Sequence, residues 1–166
     1  MPVKILVTGG TFDKEYMELN GELIFKNTHV HEMLELARCK IDVKIRTLMM
    51  IDSLDMTEYH RNIILEKCKN SKETKIIITH GTDTMVETAQ YLGEKIKDRT
   101  IILTGALVPY AFGSSDGLFN LGSALAFVQS LPNGVYIVMN GKYFNHYNVK
   151  KNKTTGAFEE IQSCDN

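Results

Sequence analysis

The sequence predicts a three-layer α/β/α fold on a mostly parallel sheet. Short apolar runs alternate along the chain with segments of helical periodicity, which is the order of βαβ units. Two of those runs, Ile76-Ile77-Ile78 and Ile101-Ile102-Leu103, are unbroken, as strands covered on both faces require. Glycine and hydroxyl residues collect just after the runs, in Thr8-Gly9-Gly10-Thr11, His80-Gly81-Thr82-Asp83-Thr84 and Thr104-Gly105-Ala106. Polar groups gather in this way at the carboxyl ends of strands in open α/β sheets.

The elements follow in order. Val3–Val7 reads as a buried strand, ended by two glycines that permit a sharp turn. The stretch 12–25 mixes polar residues with Gly21 and ends in a short apolar patch, so a mobile loop followed by a small hairpin is expected. His31–Arg38 and Thr57–Lys69 carry helical patterns, and the strand Val43–Met50 between them alternates enough to lie near an edge. Lys75–Thr79 is the next strand. Met85, Thr88, Ala89, Leu92 and Ile96 then share one helical face, with Thr84 and Glu87 at the spacing of a capping box. After the strand Ile101–Thr104, the residues Leu118, Leu121, Leu125 and Val128 form another helical face with Asp116 as its cap. Val135–Met139 is the last strand, and the chain beyond it reads mostly as loop.

At 166 residues one domain spanning 1–166 is expected. The formal net charge of −1 argues against nucleic acid or an anionic membrane as partner. Cys39, Cys68 and Cys164 are widely spaced and suggest neither a disulfide framework nor a zinc pattern. Reduced thiols and a start without a secretory signal point to a cytoplasmic protein, and the apolar runs are too short to span a bilayer. The histidines lack metal-ligand spacing, so no metal site and no cofactor are expected. The methionines read as core filling.

The glycine turns invite several chemistries. A dinucleotide site would need a further glycine after Gly10 and an acidic residue after the next strand. Thr11-Phe12-Asp13-Lys14-Glu15 supplies no such glycine, and the next strand ends in methionines. A threonine nucleophile needs a base or a cation to make its hydroxyl reactive, and Tyr16, Asp83 and Lys151 are the available helpers. Turns carrying Gly10 and Gly81 would offer backbone N–H donors to a tetrahedral oxyanion. The plainer readings stand beside these. Thr11 could complete a turn, Thr82, Asp83 and Thr84 could only cap a helix, Ser53 could cap the helix beginning near Met56, and Lys150, Lys151 and Lys153 could be a solvated face. His80 reads as a structural hydrogen-bonding residue rather than a base.

T-G-G-T at 8–11 and H-G-T-D-T at 80–84, followed by M-V-E-T-A, resemble the bacterial-type L-asparaginases. I-D-S-L-D-M at 51–56 is similar to that family's substrate-binding loop, T-G-A-L-V-P at 104–109 with S-S-D-G-L-F-N-L to the segment that follows, and V-K-K-N-K-T-T at 149–155 to the stretch bearing its catalytic lysine. The motifs keep the family's order across nearly the whole chain. The resemblance implies Thr11 as primary nucleophile, Thr82 as second catalytic threonine and Lys151 as its partner, with Lys150 the alternative if the register slips. It implies that Asp83 binds the substrate ammonium, Ser53 the α-carboxylate and the Ala106 carbonyl the side-chain amide, and that Tyr16 is the activating tyrosine of the loop.

Two departures accompany it. Leu54 stands where many members carry a glutamine that touches substrate. The family is also roughly twice this length, its smaller second domain packing against a neighbouring subunit's site, so this chain resembles the first domain alone. Hydrolysis of L-asparagine to aspartate and ammonia is expected, without cofactor, in a homo-oligomer. The alternatives are a non-catalytic amino-acid-binding module of the same fold and an amidase preferring glutamine or another small amide.

Overall fold

The computed structural model describes residues 1–161; Cys164 lies outside them. The elements are β1 (Val3–Gly9), β2 (Lys14–Met17), β3 (Glu22–Phe25), α1 (Val30–Leu36), β4 (Val43–Ile51), α2 (Glu58–Lys69), β5 (Lys75–Thr79), α3 (Met85–Lys95), β6 (Thr100–Thr104), α4 (Gly117–Ser130), β7 (Gly134–Met139), β8 (Lys142–Asn145), β9 (Lys150–Lys151) and β10 (Phe158–Glu159). The main sheet has six strands in the order β4-β1-β5-β6-β7-β8. Every pairing in it is parallel except that of β8 with β7. One edge and the centre match the strength of the local pattern: the alternating β4 lies outermost, and the unbroken apolar runs of β5 and β6 lie in the middle.

Register explains the two cores. Ile5 pairs with Ile45 and Ile77, Ile77 with Ile102, and Ile102 with Tyr136, so these residues form one row across the sheet. Side chains alternate faces along a strand. The row therefore packs with Val30 and Met33 of α1 and with Leu121, Ala124 and Val128 of α4. The alternate residues Leu6, Ile76, Ile78, Ile101 and Leu103 pack on the other face with Ile64 and Leu65 of α2 and Ala89 and Leu92 of α3. Each fully buried isoleucine contributes roughly 1.5–3 kcal/mol, which anchors the strand ends to a rigid frame. Among the described residues no helix is long and apolar enough to cross a membrane.

Four local expectations are corrected. The small hairpin expected within 12–25 is present, but no mobile loop precedes it: a single tight turn at Thr11–Asp13 leads into β2, which pairs with β3 through Lys14 with Phe25 and Tyr16 with Leu23, and Phe12 is wholly buried at its root. The chain after Met139 is not mostly loop. Asn140 and Gly141 take φ +53° and +80°, the backbone of a two-residue hairpin turn, and β8 extends the sheet. Thr84 and Glu87 do not form a capping box: the Thr84 hydroxyl donates to the Ser53 carbonyl (2.8 Å), and Glu87 accepts from Arg61 (3.1 Å). The capping box belongs to α2, between Thr57 and His60. Asp116 likewise does not cap α4 with its side chain; its carboxylate accepts from the Leu107 and Val108 amides at 3.0 Å. In both failed caps a partner distant in sequence outcompetes the local amide.

Candidate active site

The site grows from two adjacent strand ends. β1 and β5 are parallel neighbours, and their turns meet backbone to backbone. Gly10 has φ +76°, and a Cβ placed on it would lie 2.4 Å from the Gly81 nitrogen. Only a residue without a side chain allows that approach. Gly81 is constrained from its other side, where a Cβ would lie 2.6 Å from the Ser53 hydroxyl. Thr11 and Thr82 each follow one of these glycines, so the glycine contact brings the two threonine turns alongside each other.

Beyond Gly81 the polar side chains interlock. The Lys151 ammonium donates to the Thr82 hydroxyl at 2.9 Å and to Asp83 at 2.8 Å. Thr82 is nearly buried, whereas the Asp83 side chain is half exposed. Adjacent residues of β9 point to opposite sides, so Lys150 turns away to pair with Glu159 at 3.4 Å. This geometry joins Lys151, not Lys150, to Thr82. Ser53 is buried, and its hydroxyl accepts from the Thr84 amide at 3.3 Å while keeping its own proton to donate. Thr11 is partly buried, and its hydroxyl has no hydrogen-bond partner among the described residues.

Three further groups shape the rim. Ala106 is buried directly after Gly105, whose carbonyl accepts from the Asn120 amide at 2.8 Å. Asn120 also accepts from the Asn140 amide at 2.9 Å, so one buried side chain ties the β6 and β7 ends together. Lys14 pairs with Asp52 at 2.5 Å, fastening the β2–β3 hairpin beside Ser53. Tyr16 shares the Lys14 face of β2 by alternation. It is more than half exposed, its hydroxyl lies near Gly21 in its own hairpin, and no hydrogen bond joins it to the other site residues. A cavity of 430 Å³ is lined by Leu54, Asp83, Lys151, Lys153 and Gly156. Thr11, Thr82 and Tyr16 are not in its wall. A larger cavity, 610 Å³, lies beside β8 among Phe127, Tyr143, Phe144 and Phe158, and contains neither threonine turn. Among the described residues no group of three or more His, Cys, Asp or Glu could hold a metal ion.

Residues 2–165 match the family model described as Asparaginase, N-terminal. The chain belongs to the asparaginase family. It is 33% identical over 167 residues to the probable periplasmic L-asparaginase of Haemophilus influenzae, covering 93% of this chain and 47% of that one. It is 42% identical over 89 residues to the glutaminase-asparaginase of Acinetobacter glutaminasificans, covering 50% and 27%. It superposes on the thermostable L-asparaginase from Thermococcus kodakarensis with a TM-score of 0.86 and 27% identity, covering 97% of this chain and 51% of that one. The chain therefore spans about half the length, or less, of the asparaginases it matches.

Within this asparaginase fold, hydrogen bonds join the motif residues Lys151, Thr82 and Asp83, and Ser53 is bonded to Thr84, the residue after Asp83. Thr11 joins them by strand adjacency and the Gly10–Gly81 contact, and Ala106 by the neighbouring β6 end. Asn120, Lys14 and Asp52 were not legible as site supports. For Asn120 a signal exists: a polar residue at the inward period of an otherwise apolar helix face. An ammonium bonded to a threonine oxygen can stabilise negative charge there, and the unpartnered Thr11 hydroxyl is free to meet a reactant.

Proposed function

We propose that this asparaginase-family chain is an amidohydrolase that cleaves the side-chain amide of L-asparagine. What supports the reading is the Lys151 ammonium bridging Thr82 and Asp83, one strand away from an unpartnered threonine hydroxyl. In the proposed reaction Thr11 Oγ1 bonds to the amide carbon, and its proton passes by way of Thr82 to the departing nitrogen. The C–N bond breaks and ammonia leaves. Water then adds to the ester carbon, aspartate departs and the Thr11 hydroxyl is restored. Lys151 stabilises the negative charge that develops on the Thr82 oxygen while the proton is relayed. Asp83 holds the substrate ammonium, Ser53 the carboxylate and the Ala106 carbonyl the amide N–H; the Gly10 N–H is spent on the Ile51 carbonyl at 3.0 Å, so the Thr11 and Thr82 N–H groups that follow Gly10 and Gly81 are the proposed donors to the oxyanion. Tyr16 is the proposed hydroxyl that swings over Thr11 when the β2–β3 hairpin closes. The reaction uses no cofactor.

A single domain over 1–166, self-association to close an open site, and a cytoplasmic setting complete the proposal. The last is supported by Cys39 and Cys68, which are free thiols. The relative named glutaminase-asparaginase keeps glutamine as the second substrate to be tried. The test is ammonia release from asparagine and glutamine, with Thr11→Ala as control. Wild-type release that falls by at least about 10³-fold in the variant supports the reading. Saturable asparagine binding without ammonia in either protein would make the chain a binding module instead.

A further inference from the structure

Behind the HGTD turn lies a buried chain of hydrogen bonds that the proposed reaction does not use. Arg61 Nε donates to Thr88 Oγ1 at 3.0 Å, and Thr88 Oγ1 lies 2.8 Å from His80 Nε2. His80 Nδ1 lies 2.7 Å from the Gly81 carbonyl. His80 and Thr88 are wholly buried and Arg61 is 9% exposed. These three residues come from α2, α3 and the β5 turn.

The direction of each proton follows from chemistry. A carbonyl can only accept, so His80 Nδ1 carries the hydrogen. Burial holds the imidazole pKa down to about 4, so the ring is neutral near pH 7 and Nε2 is a lone-pair acceptor. Thr88 must then donate to Nε2, and its remaining lone pair accepts from Arg61. Arg61 is itself held by the Met56 carbonyl (3.2 Å) and Glu87 (3.1 Å). The chain therefore runs one way, from guanidinium to Gly81 carbonyl. In a trans peptide the C=O and the following N–H point in opposite directions. Holding the Gly81 carbonyl against His80 thus turns the Thr82 N–H away from the buried side. That N–H has no acceptor among the described residues.

We propose that Arg61, Thr88 and His80 are positioning residues that set the Gly81–Thr82 peptide, so that the Thr82 N–H and hydroxyl face the reacting amide. This rests on the amidohydrolase reading, but the chain of bonds can be tested apart from it. None of the three touches substrate. They act by removing rotational freedom from a turn whose glycine would otherwise permit it. Misplacing a reactive group by about 1 Å costs on the order of 10²-fold in rate.

The experiment compares wild type, Thr88→Val and Thr88→Ser. Ammonia release is read as kcat and KM, fold by thermal melting, and the histidine tautomer by ¹⁵N NMR. In wild type the His80 proton is expected on Nδ1, the minority form of a free neutral imidazole. Thr88→Val should lower kcat by about 10²-fold with KM changed less than about threefold, and Thr88→Ser should restore kcat. Should Thr88→Val not fold, Thr88→Ala is read in the same way. A wild-type His80 protonated on Nε2, or a folded Thr88→Val with unchanged kcat, overturns the proposal. Wild type without ammonia release would remove the amidohydrolase reading, and with it the positioning role, whereas the tautomer would still decide whether the chain of bonds exists.

Discussion

Thr11 and Thr82 sit in turns built alike, each directly after a glycine at the end of a parallel strand, yet their surroundings differ. The Thr82 oxygen is nearly buried and bonded to an ammonium. The Thr11 hydroxyl is partly exposed and has no partner among the described residues. A hydroxyl engaged by fixed charge suits proton handling, whereas an unengaged hydroxyl can form a new bond without first breaking an old one. The difference arises from what packs next to each turn. The Thr82 turn lies between α2, α3 and β9. The Thr11 turn runs straight into the β2–β3 hairpin, which is clamped at Lys14 and at Phe12 but leaves the threonine uncovered.

This contrast predicts unequal responses to the same substitution. Thr11→Val should abolish ammonia release, by at least about 10³-fold, with a melting temperature within a few degrees of wild type, because the hydroxyl makes no internal bond. Thr82→Val should lower kcat by about 10²–10³-fold and also leave the Lys151 ammonium with Asp83 as its remaining partner. Lys151→Met should match it in rate and cost only about 0–1 kcal/mol in denaturant unfolding, since the Asp83 side of that pair is half exposed. Equal stability losses for Thr11→Val and Thr82→Val would erase the distinction.

The glycines sharpen it further. Gly10→Ala meets both a positive φ and the Gly81 backbone, and should cost about 3 kcal/mol or more. Gly81→Ala meets the Ser53 side chain without a positive φ, and should cost about 1–3 kcal/mol. Urea unfolding of both variants gives the ranking.

Acid should act from the Thr82 side. The imidazole of His80 binds its proton near 6.5 when unfolded and near 4 when folded. Between those values the unfolded chain holds more protons, so stability is fully present above pH 6.5, falls as pH drops toward 4, and levels off below. The loss is about 3 kcal/mol. Denaturant midpoints measured from pH 7.5 to 4 should show it, and His80→Gln should flatten that part of the profile. The smallest effect is expected at the hairpin. Tyr16→Phe should lower kcat by about tenfold, because the hydroxyl rests near its own turn at Gly21 and meets Thr11 only in the proposed closed hairpin. An unchanged kcat would remove Tyr16 from the reaction.

Much of this architecture was legible in the chain. Five strands were readable because their residues are apolar enough to demand burial, and the Ile76–Ile78 and Ile101–Leu103 runs identified the central ones. The threonine turns were readable because glycine and hydroxyl residues after a buried strand have few other uses. The β8 strand was missed although Asn140-Gly141 is a turn signal, since Lys142–Asn145 is short and its pairing is what makes it a strand. The caps were misassigned for a related reason: Thr84 and Asp116 have the right chemistry for a local bond, and better partners existed elsewhere.

The amino-acid order by itself determined which segments must be buried, where glycine must interrupt them, and which hydroxyls, lysines and carboxylates stand at those interruptions. Those properties depend on side-chain volume, polarity and backbone freedom, all of them local. Only the tertiary structure decided that Lys151 rather than Lys150 meets Thr82, that Asn120 ties two strand ends, and that Arg61 reaches the HGTD turn through Thr88 and His80. Each of these joins residues brought together by strand register and helix packing, and a directional hydrogen bond exists only once both ends are fixed in space.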